Sequence, residues 1–326
     1  MSYKPSANKT LYLSIVVPLY NEEESVEKLV SRIIDVGANF KFVYEIILVD
    51  DGSTDNTWQS IEKLKSSTPN LRGIKLRRNY GQTNAMVAGF DHAAGEIIVT
   101  LDGDLQNDPS DIPMLLQKIE EGYDIVSGWR KDRKDHFSRV LPSKIANWII
   151  SFTIGVKLHD YGCSLKAYRT ECIKSLKAYG DMHRFFPALA SMTGARIAEV
   201  PVKHYPRKFG VSKYGFDRIF KVISDIFMIK LLIRFVSKPL KGFFLFSVPF
   251  LAMAGFFSTL GVVAYLLNWT EGKSFFFMLL SIMAMIAGVH VIFMGIIGEL
   301  VVGNSDLKQT RMIEKTKKVI QKRGAR

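Results

Sequence analysis

Glu96-Ile97-Ile98-Val99-Thr100-Leu101-Asp102-Gly103-Asp104 is the stretch on which the reading of the chain turns. Its first six residues are an apolar, β-branched run of the kind that forms a buried strand. The five residues after the stretch, Leu105-Gln106-Asn107-Asp108-Pro109, make a polar turn that stops the strand and leads into a helix near Asp111. Two carboxylates just past a strand's carboxyl end stand where open α/β sheets bind ligands. Such a pair suits a hard divalent cation, Mg2+ or Mn2+, which takes oxygen ligands and is often shared with substrate phosphates. An isolated Asp-x-Asp is usually only a solvated turn, so its meaning depends on its surroundings.

Upstream, strands and helices alternate. Tyr12 to Val17 reads as a first strand ending at Pro18-Leu19-Tyr20-Asn21-Glu22, and helix-forming residues run from Glu23 to Val36. Tyr44 to Val49 is a second buried strand, stopped by Asp50-Asp51-Gly52-Ser53-Thr54-Asp55. Thr54 or Asp55 is placed to cap a helix containing Trp58, Ile61 and Leu64. Leu71 to Leu76 is a third strand, Gly81 to Ala93 has helical spacing, and Ile97 to Leu101 is the fourth strand. This alternation predicts an α/β fold, a mostly parallel sheet with helices on both faces. Its three acid-bearing turns, at Asn21-Glu22, Asp50-Asp51 and Asp102/Asp104, then share one sheet edge and can converge on one ligand.

Downstream, Gly122 to Gly128 reads as a fifth strand, followed by the charged loop Trp129 to His136. That loop is either a solvated face or a flap whose Arg130, Arg133 or Arg139 meets a substrate phosphate. Val140 to Val156 has helical spacing, and Asp160 precedes a strand expected over Ser164 to Tyr168. A second basic cluster holds Arg207 and Lys213. Phe216 to Val236 alternates apolar and basic residues in the manner of a helix lying at a membrane interface. Gly242 to Leu267 and Phe275 to Val302 are apolar runs long enough to span about 30 Å of hydrocarbon.

The chain has 326 residues and a formal net charge of +13, which points to an anionic partner. It has no zinc-finger spacing, RNA-binding aromatic signature or heptad-linked basic region, so nucleic acid is not expected. Cys163 and Cys172 have no metal-ligand spacing, so inert thiols in a reduced compartment are expected. The first apolar run is short and broken by Pro18, so it reads as a strand rather than a signal peptide. By the positive-inside rule, the basic tail after Gly303 and the N-terminal region share the cytoplasmic side.

Taken in order, Val17-Pro18-Leu19-Tyr20-Asn21-Glu22, Val49-Asp50-Asp51-Gly52-Ser53-Thr54-Asp55, Asn79-Tyr80-Gly81-Gln82, Asp102-Gly103-Asp104-Leu105-Gln106, Asp160 to Arg169 and Arg207 to Tyr214 resemble the family-2 inverting glycosyltransferases. The similar branch acts on polyprenyl phosphates and includes dolichyl-phosphate mannose synthase and the bactoprenol glucosyltransferases of O-antigen glucosylation. The resemblance covers about residues 11 to 215 and implies a GT-A-like nucleotide-sugar domain. It implies that Pro18, Tyr20, Glu22, Asp50, Asp51 and Asp102 bind the nucleotide sugar. Asp102, Asp104 and Gln106 would hold the metal and diphosphate. Asp104 and Asp160 would be catalytic, Asp160 as a base or a positioning group, and Arg130, Arg133, Arg139, Arg207 and Lys213 would meet the acceptor phosphate.

The activity so implied is transfer of a hexose, glucose from UDP-glucose foremost, to polyprenyl (undecaprenyl or dolichyl) phosphate. GDP-mannose or another nucleotide sugar is the alternative donor. A processive polysaccharide synthase is disfavoured, because the chain has no Q-x-x-R-W motif and only two spans. A non-catalytic sensor is disfavoured by the carboxylates. The expected partners are nucleotide sugar, polyprenyl phosphate and the lipid bilayer, with room for a homo-oligomer. The expected organisation is a cytoplasmic catalytic domain over 1–212, interfacial helices over 213–241, a two-helix plasma (inner) membrane anchor over 242–302 and a basic cytoplasmic tail over 303–326.

Overall fold

A computed structural model of the chain describes residues 12–131, 151, 156–174, 182–191, 194–206, 239–269 and 271–303. The chain divides into two compact units, Met1–Ile226 and Phe227–Arg326. Most of the helix expected over 140–156, the interfacial helix over 216–236 and the basic tail beyond Gly303 lie outside the described residues.

The described strands of the first unit are β1 (Leu13–Leu19), β2 (Tyr44–Asp50), β3 (Leu71–Lys75), β4 (Ile97–Thr100), β5 (Ile125–Trp129), β6 (Lys166–Arg169) and β7 (Ile197–Pro201). They form one sheet in the order β3-β2-β1-β4-β6-β5-β7. Its described helices include α1 (Val26–Gly37), α2 (Thr57–Ser67), α3 (Gln82–His92), α4 (Ile112–Glu120), α5 (Thr170–Lys174) and α6 (Phe186–Ser191). β1 pairs parallel with β2 and β4, β2 with β3, and β5 with β7. β6 runs antiparallel between β4 and β5. The chain re-enters the sheet from the edge at which β4 and β5 end, so β6 starts at their carboxyl ends.

The central strands are mostly apolar and buried because both faces are covered. On one face Leu13, Ile15, Val17, Ile46 and Leu48 pack with Leu29 and Ile33 of α1, Ile61 of α2 and Leu115 of α4. On the other, Val16, Ile47, Val49, Ile98 and Tyr168 pack with Ala85, Met86 and Phe90 of α3 and Phe186 of α6. Each Val, Leu, Ile, Phe or Met among them contributes about 1.5–3 kcal/mol on burial.

Several boundaries differ from the sequence expectation. β1 continues through Pro18, which stands opposite Val49 of β2. Val16 accepts from Leu101 N–H at 3.4 Å on the β4 side, and β4 ends at Thr100, so no ladder bond is lost where proline lacks a donor. α2 begins at Thr57 with Asn56 at its cap, while the Asp55 carboxylate accepts the Thr57 N–H at 3.0 Å. β7 is not evident in the sequence, since only Val200 of its five residues is buried.

The second unit contains α7 (Pro239–Leu266) and α8 (Glu271–Gly303), both long and apolar enough to cross a membrane. Pro239 starts α7, where a first-turn proline forfeits no helical bond. α8 begins at Glu271, so its first turn takes in the polar Glu271, Lys273 and Ser274. Extending a formed helix gains one backbone bond per residue, which carries α8 through these polar positions. The helices pack closely, with Gly288 facing Leu251 and the Ser281 hydroxyl donating to the Ala254 carbonyl at 2.8 Å. Phe246, Phe256, Ile286 and Phe293 remain exposed, unlike the faces of a soluble core helix.

Candidate active site

The turns after β1, β2 and β3 are locked to one another. Asn21 adopts a left-handed conformation (φ 55°), one that asparagine tolerates. Its N–H donates to Ser53 Oγ at 2.9 Å and its side-chain oxygen accepts the Thr54 N–H at 2.8 Å. Glu22 N–H donates to Thr57 Oγ1 at 2.8 Å, and the Glu22 carboxylate accepts the Ser25 hydroxyl at 2.7 Å. Pro18 is buried in the end of β1, and Tyr20 and Glu22 are half-buried beyond it.

Asp50 and Asp51 divide their work. Asp51 accepts the N–H groups of Tyr80 and Gly81 at 2.8 and 2.9 Å, so it braces the loop entering α3. Burial pushes its pKa up, opposed by those two N–H groups. Asp50 is fully buried; its Oδ1 accepts Ser53 N–H at 3.1 Å, while its Oδ2 has no hydrogen-bond partner. An orphaned buried carboxylate oxygen calls for a donor.

At the end of β4, Asp102 Oδ1 accepts Gln82 Nε2 from the start of α3 at 2.6 Å. Asp104 is buried, and its Oδ1 accepts the Gln106 N–H at 3.1 Å. That bend places Leu105 in the left-handed region (φ 62°), its strain offset by a side chain that is buried in the core. Gln106 pairs with Tyr205, its carbonyl accepting Tyr205 N–H at 2.9 Å. A separate open pocket of about 390 Å³, bounded by Arg32, Asp35 and Val36 of α1, lies against Leu105.

Burial and then the charge of Asp104 raise the Asp102 pKa to about 6, while a hydrogen bond from Ser164 and the charges of Arg130 and Lys166 pull it down. Among the described residues no three His, Cys, Asp or Glu side chains form a complete metal cage. Two mutually repelling carboxylates fit a hard divalent cation that completes its shell with phosphate and water. The residues present therefore suit the implied metal.

Across the site, Arg130 at the end of β5 grips Asp160 with both arms of a fork. Arg130 Nε to Oδ2 is 2.6 Å and Nη2 to Oδ1 is 2.9 Å. Gly162 N–H adds a bond to Asp160 Oδ1 at 3.0 Å, and Asp160's own N–H donates to Glu199 of β7 at 2.9 Å. Glu199 also binds His159 through its backbone and ring, and that ring stacks on Trp129 at 4.4 Å. Lys166, at the start of β6, is buried and donates to the Tyr161 carbonyl at 3.1 Å.

The structure thus gathers Asp102, Asp104 and Gln106 in one loop and joins Arg130 to Asp160, with Asp102 in electrostatic reach of Arg130. Arg133, Arg139, Arg207 and Lys213 lie outside the described residues. Gln82 and Ser164 stand in motifs named above but carry no role there, and nothing in the sequence marks Glu199 or Lys166. Lys166 sits inside the quoted Asp160 to Arg169 stretch, but a lone lysine carries no signal of burial.

The sequence model described as glycosyl transferase family 2 matches residues 14–177. Dodecaprenyl-phosphate galacturonate synthase of Rhizobium johnstonii is 48% identical over 236 residues, 71% of this chain and 70% of that enzyme. Glucosyl-3-phosphoglycerate synthase from Mycobacterium tuberculosis, solved with Mn2+, UDP and phosphoglyceric acid, has a TM-score of 0.53 at 20% identity, over 69% of this chain and 78% of that one. The same enzyme with Mn2+, UDP-glucose and phosphoglyceric acid gives 0.52 at 20% identity, over 71% and 85%. The likeness to these solved structures concerns the fold.

Proposed function

Because the chain belongs to glycosyl transferase family 2 and has a GT-A-like fold, we propose that it transfers a sugar from a nucleotide sugar to polyprenyl phosphate. The dodecaprenyl phosphate named for the R. johnstonii enzyme supports this acceptor class, and the two apolar helices suit a lipid substrate. One observation supports the mechanism: the Asp102/Asp104 pair and the Arg130–Asp160 fork follow the carboxyl ends of β4 and β5 on either side of the start of β6, with Asp102 in electrostatic reach of Arg130. The first suits a metal-bound diphosphate and the second a phosphate.

In this reading Pro18, Tyr20 and Glu22 line the nucleoside site, with Asp50 Oδ2 free to accept an N–H or O–H of the donor. Asp51 shapes the same site through the Tyr80–Gly81 backbone. Asp102, Asp104 and Gln106 would hold Mg2+ or Mn2+, which when bound stabilises negative charge on the departing diphosphate. Arg130, held by Asp160, supplies positive charge toward the acceptor phosphate. A phosphate monoester has a second pKa of about 6 and is largely dianionic already, so the reaction needs no strong protein base. Asp160 uses both oxygens on Arg130 and therefore acts by positioning it. An acceptor phosphate oxygen bonds to the anomeric carbon as the bond to the nucleoside diphosphate breaks on the opposite side, with inversion. Arg133, Arg139, Arg207 and Lys213 complete the acceptor site in this proposal. The helices anchor the enzyme in the plasma (inner) membrane, with the catalytic unit and tail cytoplasmic.

The sequence reading favours UDP-glucose, while the relative's name adds a hexuronate to the donors worth testing. Membranes containing the protein, given a panel of labelled nucleotide sugars and undecaprenyl phosphate, should form one labelled lipid. Chelator or Asp104→Asn should abolish it, and Mn2+ should restore only the chelated wild type. A labelled lipid formed at full rate by Asp104→Asn in chelator would remove the metal assignment. Donor binding with no transfer would favour a sensor.

A further inference from the structure

β6 starts between the two halves of the site. β4 and β5 both run antiparallel to it, so their carboxyl ends, leading to Asp102 and Arg130, flank its first residue, Lys166. Lys166 stands opposite Thr100 on one side and Ser127 on the other, so the three side chains share one face of the sheet. Thr100 and Ser127 are fully buried and Lys166 is 3% exposed. A lysine normally lets its ammonium reach water. Here the described polar contact is the Tyr161 carbonyl at 3.1 Å, although an ammonium can donate three hydrogen bonds. The neighbouring Ser127 hydroxyl is buried without a hydrogen-bond partner. Burial lowers the Lys166 pKa to about 8 despite the neighbouring Cys163, Asp160 and Asp102, in a setting where Arg130 adds positive charge. Another anion beside this ammonium would offset its desolvation.

A transferred sugar has to lie between its own diphosphate, at Asp102 and Asp104, and the acceptor phosphate, at Arg130. That gap is where β6 begins. We propose that Lys166 recognises a carboxylate on the transferred sugar, with the Ser127 hydroxyl beside it, which makes the preferred donor a nucleotide hexuronate. The inference rests on the glycosyl-transfer reading above and names the sugar class for it. A neutral hexose offers a hydroxymethyl group where the carboxylate would stand and adds no charge to offset the burial of the ammonium.

The test compares UDP-galacturonate and UDP-glucuronate with UDP-galactose and UDP-glucose on full-length wild type, Lys166→Met and the charge-conserving Lys166→Arg. Lipid product gives kcat/KM and titration calorimetry gives donor affinity, with UDP binding as the control for folding. Wild type should prefer one hexuronate over its matching hexose, and Lys166→Met should reduce that preference about 10- to 100-fold, the worth of a charge-assisted hydrogen bond. Lys166→Arg should keep part of it. Equal losses for acidic and neutral donors would assign Lys166 to the diphosphate or to packing and overturn the proposal. A wild type that prefers a neutral hexose would overturn it as well, leaving the glycosyl-transfer reading intact. Discrimination in binding with no lipid product would retain the Lys166 role and remove the acceptor assignment instead.

Discussion

Arg130 and Asp160 are held in a geometry that leaves their side chains 13% and 6% exposed. Removing one partner of a buried ion pair strands the other charge, at a cost of about 3–5 kcal/mol, whereas replacing both with apolar groups is often close to neutral. Arg130→Met and Asp160→Leu should each lower the Tm strongly, and the double variant should recover much of the loss. Transfer should not recover with it. With no guanidinium to meet the acceptor phosphate, lipid product should stay at least about 100-fold down at saturating donor, on the scale of lost transition-state contacts. Thermal denaturation and product formation on the same samples separate the two effects. A double variant that regains both would reduce the pair to scaffolding. Asp51 teaches a related lesson: it neighbours Asp50 in sequence, yet two backbone N–H groups occupy its carboxylate while Asp50 keeps a bare oxygen.

At the scale of elements, the site depends on turns that brace one another. Gly52, with φ +68°, comes so near the next turn that an added Cβ would stand 2.4 Å from the Arg78 carbonyl carbon and 2.6 Å from Asn79 N. Backbone cannot yield as a side chain can. Gly52→Ala should lose about 1–2 kcal/mol from the left-handed conformation alone, with the steric clash added to that. The displaced turn carries Asp50, Ser53 and Thr54, so UDP affinity measured by calorimetry should fall more than kcat at saturating donor. Unchanged UDP affinity would mean that the β1 and β2 turns do not hold the nucleotide. The motifs in these turns were legible because each follows an apolar strand. What they do to one another was not, since Asn21 meets Ser53, and Asp51 meets Tyr80, only after the strands align.

For the whole molecule, the question is which side of a membrane each part faces. α7 has 28 residues, about 42 Å at 1.5 Å per residue, against about 30 Å of hydrocarbon. The tail after Gly303 is rich in lysine and arginine, so the proposed topology, by the positive-inside rule, has it cytoplasmic. In a chain with Cys163 and Cys172 replaced by serine, Gly272→Cys should react with an impermeant thiol reagent from outside the cell. Nothing lies within 4 Å of a Cβ at Gly272, so the substitution should be accommodated. Ser305→Cys should react only after permeabilisation. The reverse pattern would put the basic tail outside and contradict a cytoplasmic supply of nucleotide sugar.

The sequence by itself determined the strand–helix alternation through β5, the acid turns at the sheet edge, the two apolar spans and the family. These are local properties, since runs of apolar residues and their periods report which faces are buried. The reversed direction of β6, the edge strand β7, the Arg130–Asp160 fork and the burial of Lys166 were decided only by the tertiary structure. Each depends on which strands become neighbours, and nothing in a short stretch of sequence encodes a partner 30 residues away. Lys166 shows the difference most plainly. In the sequence it is one of many cations, and only its place between Thr100 and Ser127 turns it toward the interior.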